Sequence, residues 1–282
     1  MRSVGRALLV VAGTLGWIHQ SAHTQEAAPF DFVVLGHIRG GDDHRLHVRL
    51  GELMDRVREI DPDMIVLTGD IVWGDYHDFD RSPEVLHAEW DAVDSAIALI
   101  GVPILRVPGN HDASDLVSRD VYRSRYGNPY QVYDTAGIRF VLLNSAWIPQ
   151  DGDTAHNRFI RGQPIAEGQL QWLRDVVEDP AAPSRMFVFL HHLLWWDPEE
   201  GAWWQDVHPL LQANGVRAVV SGDYGPLKFS HVTRDDIDYF QTSLGGGPPC
   251  VCSSLLSRIA SWPPSSTTSC MYRFEMKRPA SR

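Results

Sequence analysis

The sequence predicts an α/β fold in which two β-sheets pack face to face with helices outside, an αββα sandwich. Three observations carry this. Short apolar runs of strand length alternate with stretches whose apolar residues recur at helical spacing. The later strand patterns come in pairs joined by short turns, which mixes antiparallel strands with the βαβ units. Several apolar runs are also followed by short motifs carrying Asp, Asn or His, at the carboxyl ends of strands, where open α/β sheets bind ligands.

Asp31 to Gly36 reads as the first strand. Leu46, Leu50, Leu53, Met54, Val57 and Ile60 share one helical face, and Asp61-Pro62 stops that helix. Met64 to Thr68 is a buried type of strand. Ser82-Pro83-Glu84 starts a helix with Ser as cap and Pro in the first turn, running to Ile100 before Gly101. Pro103 to Val107 is a strand, and Ser114 to Tyr126 a helix closed by Gly127-Asn128-Pro129. Tyr130 to Tyr133 and Ile138 to Asn144 form a strand pair around Asp134-Thr135-Ala136-Gly137. Residues 145–166 read as a long polar loop, and Glu167 to Glu178 as an amphipathic helix. The strand Arg185 to Leu190 is followed by a Trp-rich segment, a helix to Asn214-Gly215 and the strand Val216 to Val220. Lys228 to Val232 and Ile237 to Gln241 predict a hairpin. Past Gly245-Gly246-Gly247 the chain turns Ser- and Pro-rich, with a closing strand expected within Met271 to Met276. The domain is therefore expected to span residues 29–247, with 248–282 a poorly ordered tail.

Four short motifs follow strand patterns: Gly69-Asp70, Gly109-Asn110-His111-Asp112, His191-His192 and Gly222-Asp223. Asp, Asn and His are hard or borderline ligands for divalent metals, and here they come from separate strands. Any one of these motifs is commonplace; the ordered set is specific.

The set resembles the calcineurin-like metallophosphoesterase family, across about residues 30–247. Gly69-Asp70 and Gly109-Asn110-His111-Asp112 match its motifs outright, and residues 187–192 match its apolar strand ending in His. The first and last motifs depart: His37-Ile38-Arg39 stands where the family has Asp-x-His, and Gly222-Asp223-Tyr224-Gly225 where it has Gly-His-x-His. The resemblance implies the metallophosphoesterase type of sandwich and a site binding two metals bridged by the central Asp. Carried over residue by residue, one ion would use Asp70, Asn110, His191 and Asp223, with His191 favoured over His192 because the family's ligand directly follows the strand. The other would need His37, Arg39, Asp70 and Gly225. Arginine has no lone pair to give and glycine no side chain, so that second site is expected to be lost. Arg39 is expected to replace the missing cation and bind phosphate. His37 is a candidate ligand or base. His111 is the candidate general acid or phosphate contact, with Asp112 orienting its ring.

The expected activity is hydrolysis of a phosphomonoester or phosphodiester by metal-activated water, with one Mn, Fe or Zn ion per chain and a small phosphorylated substrate. The rival reading is a weakly active or inactive binding module on the same scaffold, recognising a phosphorylated or carbohydrate ligand through Arg39 and the tryptophans Trp195, Trp196, Trp203 and Trp204. Core packing is the plain alternative for those tryptophans. No Gly-x-Ser-x-Gly elbow supports a covalent route.

Composition bounds these readings. The chain has 282 residues, 44% hydrophobic and 22% charged, the profile of an ordinary globular protein. A net charge of −11 argues against a nucleic-acid or anionic-membrane surface. Arg2 and Arg6 followed by the apolar run Ala7 to Ile18 predict an export signal within residues 1–28, hence a periplasmic or secreted protein. Membrane attachment would follow only if that segment stays uncleaved. The three cysteines, Cys250, Cys252 and Cys270, allow at most one internal disulfide and are not expected to carry the chemistry.

Overall fold

The computed structural model describes residues 30–43, 45–75, 81–146, 165–196, 201–222 and 230–242, together with the backbone of 272–275. The N-terminal segment, His77, Asp78, Asp80, the loop 147–164, Asp223 to Gly225 and all three cysteines lie outside the described residues.

Ten strands and five α-helices are described. In chain order they are β1 (Asp31–Leu35), α1 (Leu50–Ile60), β2 (Met64–Thr68), α2 (Pro83–Ala98), β3 (Ile104–Val107), α3 (Leu116–Tyr126), β4 (Gln131–Thr135), β5 (Ile138–Leu142), α4 (Glu167–Val177), β6 (Arg185–Leu190), α5 (His208–Ala213), β7 (Val216–Ser221), β8 (Ser230–Arg234), β9 (Ile237–Gln241) and β10 (Tyr272–Glu275). They form a four-stranded sheet ordered β10-β1-β2-β3 and a six-stranded sheet ordered β4-β5-β6-β7-β9-β8. β1, β2 and β3 are parallel, as are β5, β6, β7 and β9, so their carboxyl ends gather at one edge of the sandwich. β4, β8 and β10 run antiparallel to their neighbours. The expected closing strand thus pairs with β1, and a domain ending at residue 247 would leave out that edge of the sheet.

Three element boundaries move for physical reasons. α1 begins at Leu50 rather than Leu46, because Leu46 is exposed and contributes nothing to the buried face. α3 begins at Leu116, where Asp115 and Ser118 form a reciprocal capping box with Asp115 Oδ1 accepting from Ser118 N at 2.7 Å. β8 runs to Arg234, two residues beyond expectation. Asp235 and Asp236 both take left-handed backbone angles, which suit a two-residue hairpin turn and pair Arg234 with Ile237.

The strands alternate faces with period two. Phe32, Val34, Met64, Val66, Phe140, Phe187, Phe189, Val220 and Phe240 point between the sheets. Val33, Leu35, Ile65 and Leu67 point outward against Leu53 and Val57 of α1 and Trp90 of α2. Val141, Val188, Leu190, Val219 and Tyr239 cover the opposite outer face with Leu173 of α4 and Leu211 of α5. Trp195 and Trp203 belong to that outer core, so for these two the packing reading holds. Trp204 stacks under the Arg234 guanidinium, 4.1 Å from its ring centre.

Phe32 meets Phe140, Phe187 and Phe189 edge-on at 5.0, 5.4 and 6.1 Å between ring centres. Phe32→Ala removes the hub of this inter-sheet cluster and is expected to cost about 3–5 kcal/mol of unfolding free energy. Urea denaturation would show it as a lowered midpoint with little change in slope.

Candidate active site

Two glycines set the site's geometry. Gly69 has φ +88°, and a Cβ there would lie 2.4 Å from His191 Nδ1. A Cβ at Gly109 would lie 2.2 Å from Asp70 N. The Gly-Asp and Gly-Asn pairs therefore let the loops after β2 and β3 approach each other and β6 more closely than any side chain permits. Asp70 itself has φ 52° and His37 φ 57°, left-handed conformations that are uncommon for non-glycine residues and most often held by Asn, Asp or His. His37 N donates to Gly69 O at 3.0 Å and Arg39 N to Asp70 O at 2.9 Å, which ties the loop after β1 into the same cluster.

Asp70 sits at the centre, 1% exposed. Its Oδ1 accepts from His111 N at 3.1 Å and lies 3.3 Å from His191 Nε2. Its Oδ2 lies 3.1 Å from His37 Nδ1 and accepts from Arg39 Nε at 3.3 Å. Burial opposes ionisation, but His191, His111, His37 and Arg39 together hold the carboxyl well below the usual range. For His37 the balance runs the other way. Burial lowers it to about 4 against the pull of Asp70, aided by the permanent positive charge of Arg39. His37 is neutral at pH 7 and too weak a base for proton abstraction there.

The histidine tautomers follow from their partners. His191 Nδ1 lies 2.8 Å from Thr68 O, and a carbonyl only accepts, so Nδ1 carries the proton and Nε2 the lone pair. That Nε2 lies 3.1 Å from Asn110 Oδ1. His192 is arranged alike: Nδ1 donates to Ser145 O at 2.8 Å and Nε2 lies 3.1 Å from the same Asn110 oxygen. Ser145 Oγ also accepts from the backbone N–H of both histidines, at 3.2 and 2.9 Å. Lone pairs of Asp70, Asn110 and His191 thus converge, a donor set that fits a divalent cation. The carbonyl behind His191 is the support such ligands usually have. Among the described residues no group of three or more His, Cys, Asp or Glu side chains is arranged to hold an ion. The converging set contains only two residues of those types, because Asn110 offers an amide.

On the Oδ2 side of Asp70 lies the guanidinium of Arg39. It has no lone pair, and its Cζ lies 4.7 Å from the centre of the Trp73 ring.

Asp112 does not orient His111. Its Oδ1 accepts from Ile71 N and Val72 N at 2.8 and 3.0 Å, and its Oδ2 from Gly109 N at 2.7 Å. The His111 ring is held by a backbone carbonyl instead, with Nδ1 2.7 Å from Trp73 O. The carboxylate binds the Gly69-Asp70 loop to the Gly109-Asn110 loop by accepting these backbone N–H groups, which need a partner once buried.

Calcineurin-like phosphoesterases match the chain over residues 41–224. The chain belongs to that family. Among solved structures, a dimetal phosphatase from Danio rerio is similar with a TM-score of 0.58 and 17% identity, covering 77% of this chain and 88% of that one. A purple acid phosphatase from yellow lupin (Lupinus luteus) is similar with a TM-score of 0.53 and 10% identity, covering 77% of this chain and 44% of that one. These two likenesses concern the fold. No curated protein matches.

Within this phosphoesterase the structure brings Asp70, Asn110, His111, His191, Arg39 and His37 together and leaves Asp112 as the brace behind them. Asp223 lies outside the described residues, though Gly222 N donates to His191 O at 3.0 Å, which leads the chain from β7 to the cluster. Trp73 and Ser145 were not singled out from sequence. Trp73 had one signal, a large aromatic inside the Gly69–Asp75 loop; Ser145 had none, since it acts through its hydroxyl on backbone groups of a distant strand.

A buried acid lies at the end of the same loop. Asp75 is 0% exposed and accepts from the Ser114 hydroxyl. Burial and the adjacent Asp115 carboxyl push it up to about 7. The folded state therefore holds more protons than the unfolded state between pH 3.8 and about 7, and this group's contribution to stability is lost as pH rises through that window. Asp75→Asn mimics the protonated form. Urea titrations should show it more stable than the parent by roughly 1–2 kcal/mol at pH 8, with the difference shrinking towards pH 5.

Proposed function

We propose that this phosphoesterase is a metal-dependent hydrolase of a small phosphomonoester or phosphodiester, working with one divalent ion and with Arg39 in place of the second. The division of the Asp70 carboxylate carries the reading: Oδ1 faces the lone pairs of Asn110 and His191, and Oδ2 faces Arg39. Asp70, Asn110 and His191, joined by Asp223, would hold the ion. When bound, such an ion supplies Lewis acidity towards water and a phosphoryl oxygen.

The chain's own groups then have distinct tasks. Asp70 stays ionised and balances the local positive charge. Arg39 contributes a permanent charge for phosphate oxygens. Because Trp73 O fixes the proton on His111 Nδ1, the atom that gains and loses a proton is Nε2. Protonated, His111 donates from Nε2 to a phosphoryl or leaving oxygen. His111→Asn is expected to lower kcat about a hundredfold or more and to remove the limb of the pH–rate profile that reports this proton. Retention of that limb would show that another group supplies it.

The test of the whole reading is metal content per chain with hydrolysis of p-nitrophenyl phosphate and bis(p-nitrophenyl) phosphate, before and after chelation. About one manganese, iron or zinc ion per chain and chelator-sensitive turnover support it. About two ions would mean that Arg39 does not substitute for one. Phosphate binding without turnover would favour the binding module, a reading that the Arg39–Asp70 pair also suits. We further propose export, testable by comparing the mature N-terminus with the encoded one.

A further inference from the structure

We infer that Trp73 is a positioning residue whose indole holds the Arg39 guanidinium in register with Asp70, so that the phosphate-binding strength of Arg39 depends on it. The inference rests on the phosphoesterase reading above.

Arg39 is anchored to the carboxylate through a single nitrogen. Nε reaches Asp70 Oδ2 at 3.3 Å, and Nη1 reaches Gly40 O at 3.3 Å. A fork engaged by one long contact at each of two points lacks the parallel pair of bonds that fixes an Arg–carboxylate plane. Among the described residues the further constraint is the aromatic face, with Cζ 4.7 Å from the indole centre, within the range of a cation–π contact.

The indole itself rides on a rigid mount. On one side Val72 N donates to Asp112 Oδ1 at 3.0 Å, and on the other Gly74 N donates to Glu89 Oε2 at 2.9 Å. Between them Trp73 O meets His111 Nδ1 at 2.7 Å. Gly74 is seated so close to the next loop that a Cβ there would lie 2.0 Å from His111 O. The Trp73 and His111 rings are 5.2 Å apart at 50°. One aromatic side chain thus lies against both groups assigned to phosphate.

The experiment is calorimetric titration with inorganic phosphate of the full chain reconstituted with manganese, comparing the parent with Trp73→Leu, Trp73→Phe, Arg39→Met and the Trp73→Leu/Arg39→Met double variant. Trp73→Leu is expected to weaken phosphate about tenfold at unchanged metal content, and Trp73→Phe to recover most of that loss. In the Arg39→Met background Trp73→Leu should add almost nothing, since the two act as one unit. Equal losses from Trp73→Leu with and without Arg39, or a fall in metal content on Trp73→Phe, would overturn the inference in favour of a general structural role. Failure of the parent to bind phosphate would overturn the phosphoesterase reading and this inference with it. That failure is distinguishable because it appears before any substitution is made.

Discussion

Asp70→Ala is expected to abolish hydrolysis, with kcat/KM falling by far more than a hundredfold, and to deplete the protein of divalent metal. Changes to groups that merely support a ligand cost ten- to a hundredfold in affinity or activity, and Asp70 stands at the centre of the donor set. Its carboxylate is met by His111 N, His191 Nε2, His37 Nδ1 and Arg39 Nε, all within 3.1–3.3 Å. Alanine takes from the half-buried Arg39 the carboxylate it meets at 3.3 Å and must also hold φ 52°. Asp70→Asn separates these effects. It tolerates the left-handed backbone and still accepts from His111 N, but carries no charge. Metal analysis should therefore find both variants depleted, while thermal melts of chelated protein should find Asp70→Asn the more stable. Full metal content in Asp70→Asn would refute the ligand assignment. The depressed pKa adds a pH signature: the stability owed to ionised Asp70 is present at neutral pH and lost as pH falls below the ordinary carboxylate range. The acid limb of the parent's stability curve should flatten in Asp70→Asn.

Asp112→Ala is expected to destabilise the protein by roughly 3 kcal/mol or more, because its carboxylate is engaged by backbone N–H groups. Three buried backbone N–H groups, of Ile71, Val72 and Gly109, lose their acceptor at once, and each such loss costs roughly 1–3 kcal/mol. Activity should fall too, because the same bonds set the spacing between Asp70 and Asn110. Asp112→Asn keeps the shape but replaces one accepting oxygen with a donor that faces N–H groups, so it should recover only part of the stability. Guanidinium denaturation of the three proteins checks the order. An Asp112→Ala variant as stable as the parent would mean that the two loops hold each other without the carboxylate.

Much of the site was legible because its chemistry sits in short contiguous motifs. Asp70, Asn110 and His191 each follow an apolar run, and strand ends converge in any parallel sheet, so residue type and position suffice to bring them together. The role of Asp112 was misjudged for a reason of scale. A His-Asp neighbour pair suggests carboxylate on imidazole, whereas these two side chains diverge, one to the Trp73 carbonyl and the other to three backbone N–H groups. His192 shows the same limit. Being adjacent to His191 argued for choosing one of them, yet both rings reach the same Asn110 oxygen because Ser145 turns the second inward. The Trp-rich segment was ambiguous because an apolar aromatic serves a core and a binding face equally well. Only the position of Trp195 and Trp203 behind the second sheet decides between them.

The sequence by itself determined the period-two and helical patterns, and so the two sheets with helices outside. It also determined the order of the metal-type motifs and the departure at Arg39. These are properties of residue type and local spacing, which a linear chain carries whole. Tertiary structure alone decided that β10 closes the first sheet against β1, that Asp112 braces loops instead of orienting the His111 ring, and that Trp73 lies under Arg39. Each of these joins residues whose contact depends on where two separate loops or strands arrive in space. Their energetics come from backbone N–H groups, ring faces and the close approach of separate loops, which residue type and local spacing do not specify.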